Sequence, residues 1–270
     1  MPAYGAAMEI SSLAYRTDLA MLESSGSTVE DRGDHLVVRT PDNPTFWWGN
    51  HLLLSQAPRD PAEAVSWVAT FEREFPEARH RTFGVDGTAG DLADVAAFAA
   101  LGMETEVLTV MTATAVHPPP RPNSEATIRT LASDDDWSQQ VELSMVGEEL
   151  GYDRAFCTAR TAAERSLVEQ GYGAWWGAFD GDTLLASLGL FTASPGLARF
   201  QHVKTHPDAR GRGLAGTLVH HASRYGFEEL DAQTLVMVAD PDYLAIRIYR
   251  SVGFTDTERK LQVTRKPPES

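Results

Sequence analysis

Apolar residues recur along the chain in two rhythms, and the switches between them outline its elements. Near the start, Ile10, Leu13, Ala14 and Met21 keep helical spacing. Two strands are then expected at 35–39 and 47–54, followed by a helix at 62–75, a strand at 81–85, a helix at 92–101 and a strand at 107–112. Past position 125 the mixture resumes with a strand at 126–129. Ser133, followed by Asp134, Asp135 and Asp136, is a helix start with acidic side chains at its positive end, and the helix runs to about 146. Another helix is expected at 161–169, with Gly171 past its end. Strands at 174–179, 184–192 and 197–203 are separated by the turn signals Asp180-Gly181-Asp182 and Ser194-Pro195-Gly196. Leu214, Leu218, Ala222 and Tyr225 mark an amphipathic helix over 213–230. A strand at 235–238, a helix at 243–252 stopped by Gly253, and a strand at 254–264 complete the series.

Between the two stretches lies 116–124, with four prolines in nine residues, which starves a ladder of donors and favours extended chain. The expected division is a domain at 1–117, a proline-rich linker at 118–123 and a second domain at 124–270. The first stretch repeats the later element order of the second. Its last helix ends Ala97-Phe98-Ala99-Ala100-Leu101-Gly102-Met103, against Ile248-Tyr249-Arg250-Ser251-Val252-Gly253-Phe254. The order and the shared letters read as a tandem duplication.

Composition narrows the classes. Hydrophobic residues at 43% and charged residues at 23% fit a globular protein, and 270 residues accommodate two domains. No apolar run approaches the roughly 20 residues that span a bilayer. The start has no basic stretch leading into an apolar core, so no membrane association and a cytoplasmic location are expected. The formal charge of −15 opposes binding to a phosphate backbone, so nucleic acid is not expected as a partner; the same charge would attract basic small molecules or simply confer solubility. The one cysteine, Cys157, excludes an internal disulfide and a cysteine-cluster zinc site, and no metal is expected.

The strongest local signal runs from Val203 through Thr205 and a polar connector into Arg210-Gly211-Arg212-Gly213-Leu214-Ala215-Gly216. Glycines allow close backbone approach, and the first-turn amides of a helix favour phosphate oxygens. Gly211, Gly213 and Gly216 also satisfy the dinucleotide pattern G-x-G-x-x-G. That alternative fails on spacing, because a dinucleotide fold runs its first strand almost directly into the first glycine. Here seven residues, 204–210, intervene, and only 54 residues follow Gly216 (270 − 216).

The run from Arg210 to Ala215 resembles the Q/R-x-x-G-x-G/A signature of the GCN5-related N-acetyltransferase (GNAT) family. The segment from Asp242 to Phe254 is similar to that family's N-x-x-A-x-x-L-Y-x-x-x-G-F, and the likeness covers about 124–266. It implies an α+β fold with a mixed, mostly antiparallel central sheet flanked by helices, here in two pseudo-repeated domains, and acetyl-CoA as acyl donor. Carried over, the amides of Gly211, Arg212, Gly213, Leu214, Ala215 and Gly216, beside Arg210, would hold the pyrophosphate. Main chain at Val203 and Thr205, where the strand bulges, would pair with the pantetheine arm. Tyr249 would be the general acid at the sulfur. Asp242 takes a cofactor-binding position of the family's pattern, but it stands where the family usually has Asn, so a hydrogen bond from an amide donor is not implied there.

Attack of a neutral amine on a thioester builds charge first on the carbonyl oxygen and then on the sulfur, which backbone amides and a phenol can stabilise. His202 is the first titratable group to consider for removing the amine proton; a packed strand histidine reads equally well. Glu148, Glu149, Tyr152 and Asp153 would suit a cationic amine of a small molecule or peptide, or form a solvated helix end. Trp175 and Trp176 are adjacent on a strand and point to opposite faces. The first domain has Pro58 and Pro61 where a cradle would need donors, and Phe98 at the position of Tyr249, so it should bind no CoA. A catalytically idle CoA-binding or interaction module is the alternative reading, and oligomeric state is not legible.

Overall fold

The computed structural model describes residues 7–146 and 153–267. The chain divides into two compact units, Met1–Val110 with Thr257–Ser270, and Met111–Asp256. This differs from a cut at 118–123: the proline-rich segment lies inside unit 2, while most of the last strand belongs to unit 1. That strand, β11 (Thr255–Arg265), pairs antiparallel with β4 (Arg81–Val85), from Leu261 opposite Val85 to Arg265 opposite Arg81. Pairing at such a sequence distance leaves no local signature, which is why chain order misplaced the strand.

In unit 1, β1 (Thr28–Asp31), β2 (His35–Arg39) and β3 (His51–Leu54) pair antiparallel in sequence, and β3 pairs with β4 in parallel. Alternate strand residues serve opposite faces. Val37, Leu52 and Leu54 pack with Ala64 and Phe71 of α2 (Pro61–Glu74) and with Phe98 of α3 (Ala96–Ala99). Leu36, Val38 and Leu53 pack instead against Tyr15 and Leu19 of α1 (Leu13–Ser24). The N-terminal helix therefore covers the second face of this sheet. Trp47, expected to open a strand, lies in a 3-10 turn, Trp47–Gly49, and α3 is shorter than the expected 92–101.

The strand β5 (Glu104–Ala113) passes from the first unit into the second. Unit 2 continues with β6 (Thr127–Thr130), α4 (Asp134–Met145), α5 (Arg154–Glu169), β7 (Gly173–Asp180), β8 (Thr183–Ser194) and β9 (Leu197–Thr205). It ends with α6 (Leu214–Glu228), β10 (Thr234–Ala239) and α7 (Ala245–Arg250). The pairs β6–β7, β7–β8 and β8–β9 are antiparallel, and β9–β10 is parallel. Helices flank both faces of this sheet. Trp175 packs against Trp137 of α4, and its neighbour Trp176 against His221 and Tyr225 of α6.

Capping chemistry sets several boundaries. Ser133 and Asp136 form a reciprocal capping box at α4, with Asp136 also clasped by Arg129 at 2.7 and 2.8 Å. Asp153 accepts from the amide of Phe156 at 2.8 Å and starts α5 seven residues before the expected 161. The same parallel pair joined by a helix, β3–α2–β4 and β9–α6–β10, recurs in the two units and supports the repeat read from sequence.

Candidate active site

The site grows from a defect in the sheet of unit 2. β9 pairs with β10 only over Leu197 to Arg199, opposite Thr234 to Val236, although both strands continue to Thr205 and Ala239. From Phe200 onward that edge of β9 is released from its parallel neighbour. On the other edge, Gln201 faces Gly189 and Lys204 faces Ser187, so two residues of β9 oppose one of β8. This is a β-bulge, and His202 carries it with φ of 44°, an uncommon value outside glycine. Val203 and Thr205 thus lie on a bulged, singly paired strand, as expected for a strand that offers backbone groups to an extended ligand.

The connector then tightens into a 3-10 turn, Pro207–Ala209, and reaches two left-handed glycines, Gly211 (φ 76°) and Gly213 (φ 78°). Gly213 is the N-cap of α6 and has no side chain to cap it. Among the described residues, no protein acceptor takes the amides from Gly211 to Gly216. Open amides at the positive end of a fifteen-residue helix make an anion site. Arg210 is exposed beside them, and Arg212 pairs with Glu125 at 3.3 Å. These residues fit the pyrophosphate of a CoA ester.

His202, Arg160 and Glu164 meet between β9 and α5. An Arg160 guanidinium nitrogen contacts Nε2 of His202, and Arg160 Nε donates to Glu164 Oε1 at 3.2 Å. Glu164 Oε1 lies 3.9 Å from His202 Nε2. Desolvation, followed by the charges of Arg160, Lys204 and Arg199, keeps the His202 ring neutral far below the usual histidine range. The ring is nonetheless 41% exposed at its side chain, so it retains access to solvent while its Nε2 lone pair faces a cation. Glu164 is only 12% exposed, and burial pushes its carboxyl up to about 7 against the opposing pull of Arg160. A carboxyl titrating near neutrality suits proton acceptance. Sequence reasoning did not single out Glu164, which lies within the expected helix at 161–169 and belongs to no motif. Its place in the stripe Cys157, Thr161, Glu164, Leu167 was the available signal.

Tyr249 lies on α7 and joins the core cluster that holds Leu214, Leu218, Ile246, Val252 and Phe254. The residue is 6% exposed, and burial first, then Tyr243, raise its phenol well above the ordinary value, so it keeps its proton throughout the physiological range. Asp242 is exposed in the turn before α7, where its amide donates to Asp240 Oδ1 at 2.8 Å. Of the residues expected to contact an acceptor, Asp153 is the α5 cap, and Glu148, Glu149 and Tyr152 lie outside the described residues. Cys157 is buried. Among the described residues no group of three or more His, Cys, Asp or Glu could hold a metal ion, and no helix is long and apolar enough to cross a membrane.

Unit 1 offers a contrasting crevice. β3 and β4 stay paired to their ends, Leu54 opposite Val85, and the Asp86 amide extends the contact to the Leu54 carbonyl at 2.8 Å. Helix α2 is capped by the carboxylate of Asp60, which accepts from Glu63 at 2.9 Å, and has Pro61 at its start. A cavity of about 550 Å³ beyond these strands is lined by Arg59, Arg259, Asp86 and Asp94 among others. Its helix end already holds an anion of the protein's own.

The bulged strand, released from its parallel neighbour, leads through the Pro207–Ala209 turn into the uncapped glycine turn. Residues 139–254 match the model of the Acetyltransferase (GNAT) family, so this part of the chain carries a GNAT domain. Acetyl transfer is the family's general activity. A GCN5-related N-acetyltransferase from Kribbella flavida superposes with a TM-score of 0.65 at 17% identity, over 99% of this chain and 98% of that one. A functionally unknown conserved protein from Staphylococcus epidermidis gives 0.68 at 10% identity, over 90% and 95%. A tandem GNAT protein from the clavulanic acid biosynthesis pathway gives 0.56 at 18% identity, over 93% and 88%. These likenesses establish a shared fold. No curated protein matches the sequence significantly.

Proposed function

We propose that the protein is an acetyl-CoA-dependent N-acetyltransferase that acts on a primary amine of a small molecule or peptide, by direct attack within a ternary complex. The observation that carries this reading is the release of β9 from β10 immediately before the open amides of Gly211 to Gly216. The thioester, when bound, supplies the activated acetyl group. The chain's own part is to hold the pyrophosphate on the glycine turn, to pair an extended arm along Val203 and Thr205, and to manage two protons. Glu164, beside the His202 bulge, is placed to take the proton from the incoming ammonium. His202, with Nε2 turned to Arg160, orients this cluster. Tyr249 retains its proton and can give it to the leaving sulfur.

The test is a panel of primary amines incubated with acetyl-CoA, with free thiol and acetylated product measured together. Thiol release matched by acetylated amine is the expected result. Binding of acetyl-CoA in calorimetry with no transfer to any amine class would instead make the protein a CoA-binding module, and absence of binding would remove the acyl-CoA reading altogether.

A further inference from the structure

The proline-rich segment lies against the glycine turn. The amide of His117 donates to the Val252 carbonyl at 3.0 Å, which ties the start of the segment to the end of the α7 region. Pro119 is buried, and a Cβ added at Gly216 would come within 3.0 Å of its own Cβ. A Cβ added at Gly213 would overlap the carbonyl oxygen of Arg121 and come within 3.3 Å of the Asn123 amide. Gly213 is therefore required by this close backbone approach, and Gly216 packs tightly against the Pro119 ring. The third, Gly211, has open space at that position, and its φ of 76° accounts for it.

Asn123 is the point of attachment. Its Nδ2 donates to the carbonyl of Arg212 at 2.9 Å, and its backbone amide donates to Thr217 Oγ1 at 2.8 Å. The Thr217 hydroxyl in turn donates to the Gly213 carbonyl at 3.0 Å. Asn123 Oδ1 accepts from the amides of Glu125 and Ala126 at 3.0 and 2.8 Å, which fixes the side chain's own orientation. The Arg212 carbonyl is thus held by the strap directly, and the Gly213 carbonyl through Thr217, whose hydroxyl oxygen accepts from the strap. Each peptide plane is rigid, so fixing a carbonyl also fixes the amide of the next residue, here Gly213 and Leu214. Those are two of the open donors.

We propose that 116–124 is a strap that sets the aim of the anion-binding amides, with Asn123 as its positioning residue. Its three prolines at 118–120 restrict the backbone before the cofactor arrives, so less ordering is left to binding. This inference rests on the acyl-CoA reading of the site, and its test uses binding alone.

Acetyl-CoA is titrated calorimetrically into the full-length wild-type protein, Asn123→Ala, Asn123→Asp and Thr217→Val, at a temperature where circular dichroism shows each folded. Affinity should fall about tenfold or more in Asn123→Ala, a change of roughly 1.4 kcal/mol. Asn123→Asp should lose more, because it keeps the acceptor for Glu125 and Ala126 but loses the donor and adds negative charge beside the turn. Thr217→Val should show a similar loss with its helix intact. S-acetylpantetheine, which lacks the pyrophosphate, should bind all four proteins alike; equal losses for both ligands would reduce the strap to general support and overturn the proposal. Wild-type affinity for acetyl-CoA in both Asn123 variants would overturn it as well. A wild-type protein that takes up no acetyl-CoA would instead defeat the acyl-CoA reading on which the inference rests.

Discussion

Helix α6 of unit 2 begins on Gly213, whereas its counterpart α2 of unit 1 begins on Asp60 and Pro61. Each connects the two strands of a parallel pair, so the two helices present the same end of their dipole at the end of the first strand. Unit 1 satisfies that end internally, with a cap of a type that contributes about 1 kcal/mol. Unit 2 forgoes the cap and keeps left-handed glycines with open amides. The strands reinforce the contrast, because β9 bulges and leaves β10 while β3 stays with β4 to its last residue. The two units share this topology and differ in whether the helix start is closed by a cap or left open.

The comparison breaks most directly at Gly213. Gly213→Val places a branched side chain at φ 78° and against the Arg121 carbonyl, so the turn or the strap must shift. Acetyl-CoA affinity, measured by calorimetry, should fall below detection. The physical reason differs from the one the sequence suggests, since the missing Cβ faces the strap rather than the phosphate. Conversely, Asp60→Gly in unit 1 should create no second binding site, because uncapping α2 leaves β3 and β4 closed.

A smaller but still large effect is expected at Glu164. A base works only when deprotonated, so kcat/KM for the acceptor should rise with pH through about 7, the value to which burial lifts this carboxyl. Glu164→Gln should lower kcat/KM about a hundredfold or more and abolish that limb, leaving acetyl-CoA affinity unchanged. The acetylation rate of a working amine from pH 5.5 to 9 measures both; an unchanged profile would remove Glu164 from the role of base. Arg160→Ala removes the charge that favours the carboxylate and should move the limb to higher pH.

Local chemistry was the legible part of this molecule. Apolar spacing at Leu214, Leu218 and Ala222 located α6, glycines marked its start, and Asp-Gly and Pro-Gly turns separated β7, β8 and β9. What escaped depends on partners distant in sequence. The pairing of Leu261 with Val85, the approach of Arg121 to Gly213 and the meeting of Glu164 with His202 have no periodicity to betray them. The first two turns of α5 were missed for a local reason: Asp153, read as either an acceptor contact or part of a solvated helix end, is the residue whose carboxylate caps the helix.

Tyr249 and Phe98 sharpen the comparison of the units at the level of one hydroxyl. A thiol leaving group ionises at about 8.5, so protonating it helps without being indispensable. Tyr249→Phe should therefore reduce kcat by about ten- to a thousandfold, equivalent to roughly 1.4 to 4 kcal/mol, when chemistry limits turnover. Acetyl-CoA affinity should be retained because the ring keeps its core contacts. Equal turnover at saturating acceptor would make Tyr249 a packing residue only. No alkaline loss of activity should arise from this phenol below about pH 10, its unperturbed value, since burial moves it upward.

The smallest catalytic effect is expected from the reverse exchange in unit 1. Phe98 is fully buried, with its ring stacked on Phe83 at a centroid distance of 4.7 Å, inside the cluster with Leu52, Phe71 and Leu261. Phe98→Tyr introduces a hydroxyl into an apolar environment, at a cost of about 1–3 kcal/mol if it finds no partner. Thermal stability should fall by several degrees, at roughly 2–4 °C per kcal/mol for a chain of this size class. Turnover should not change, because β3 and β4 offer no opening and α2 carries its own carboxylate where a pyrophosphate would have to sit. Calorimetry should likewise still count one acetyl-CoA per chain. The two readouts separate the explanations: a lowered melting temperature with constant kcat places Phe98 in the core alone, whereas a rise in kcat or a second binding event would mean that unit 1 retains a competent site and that its divergence from unit 2 is one residue deep.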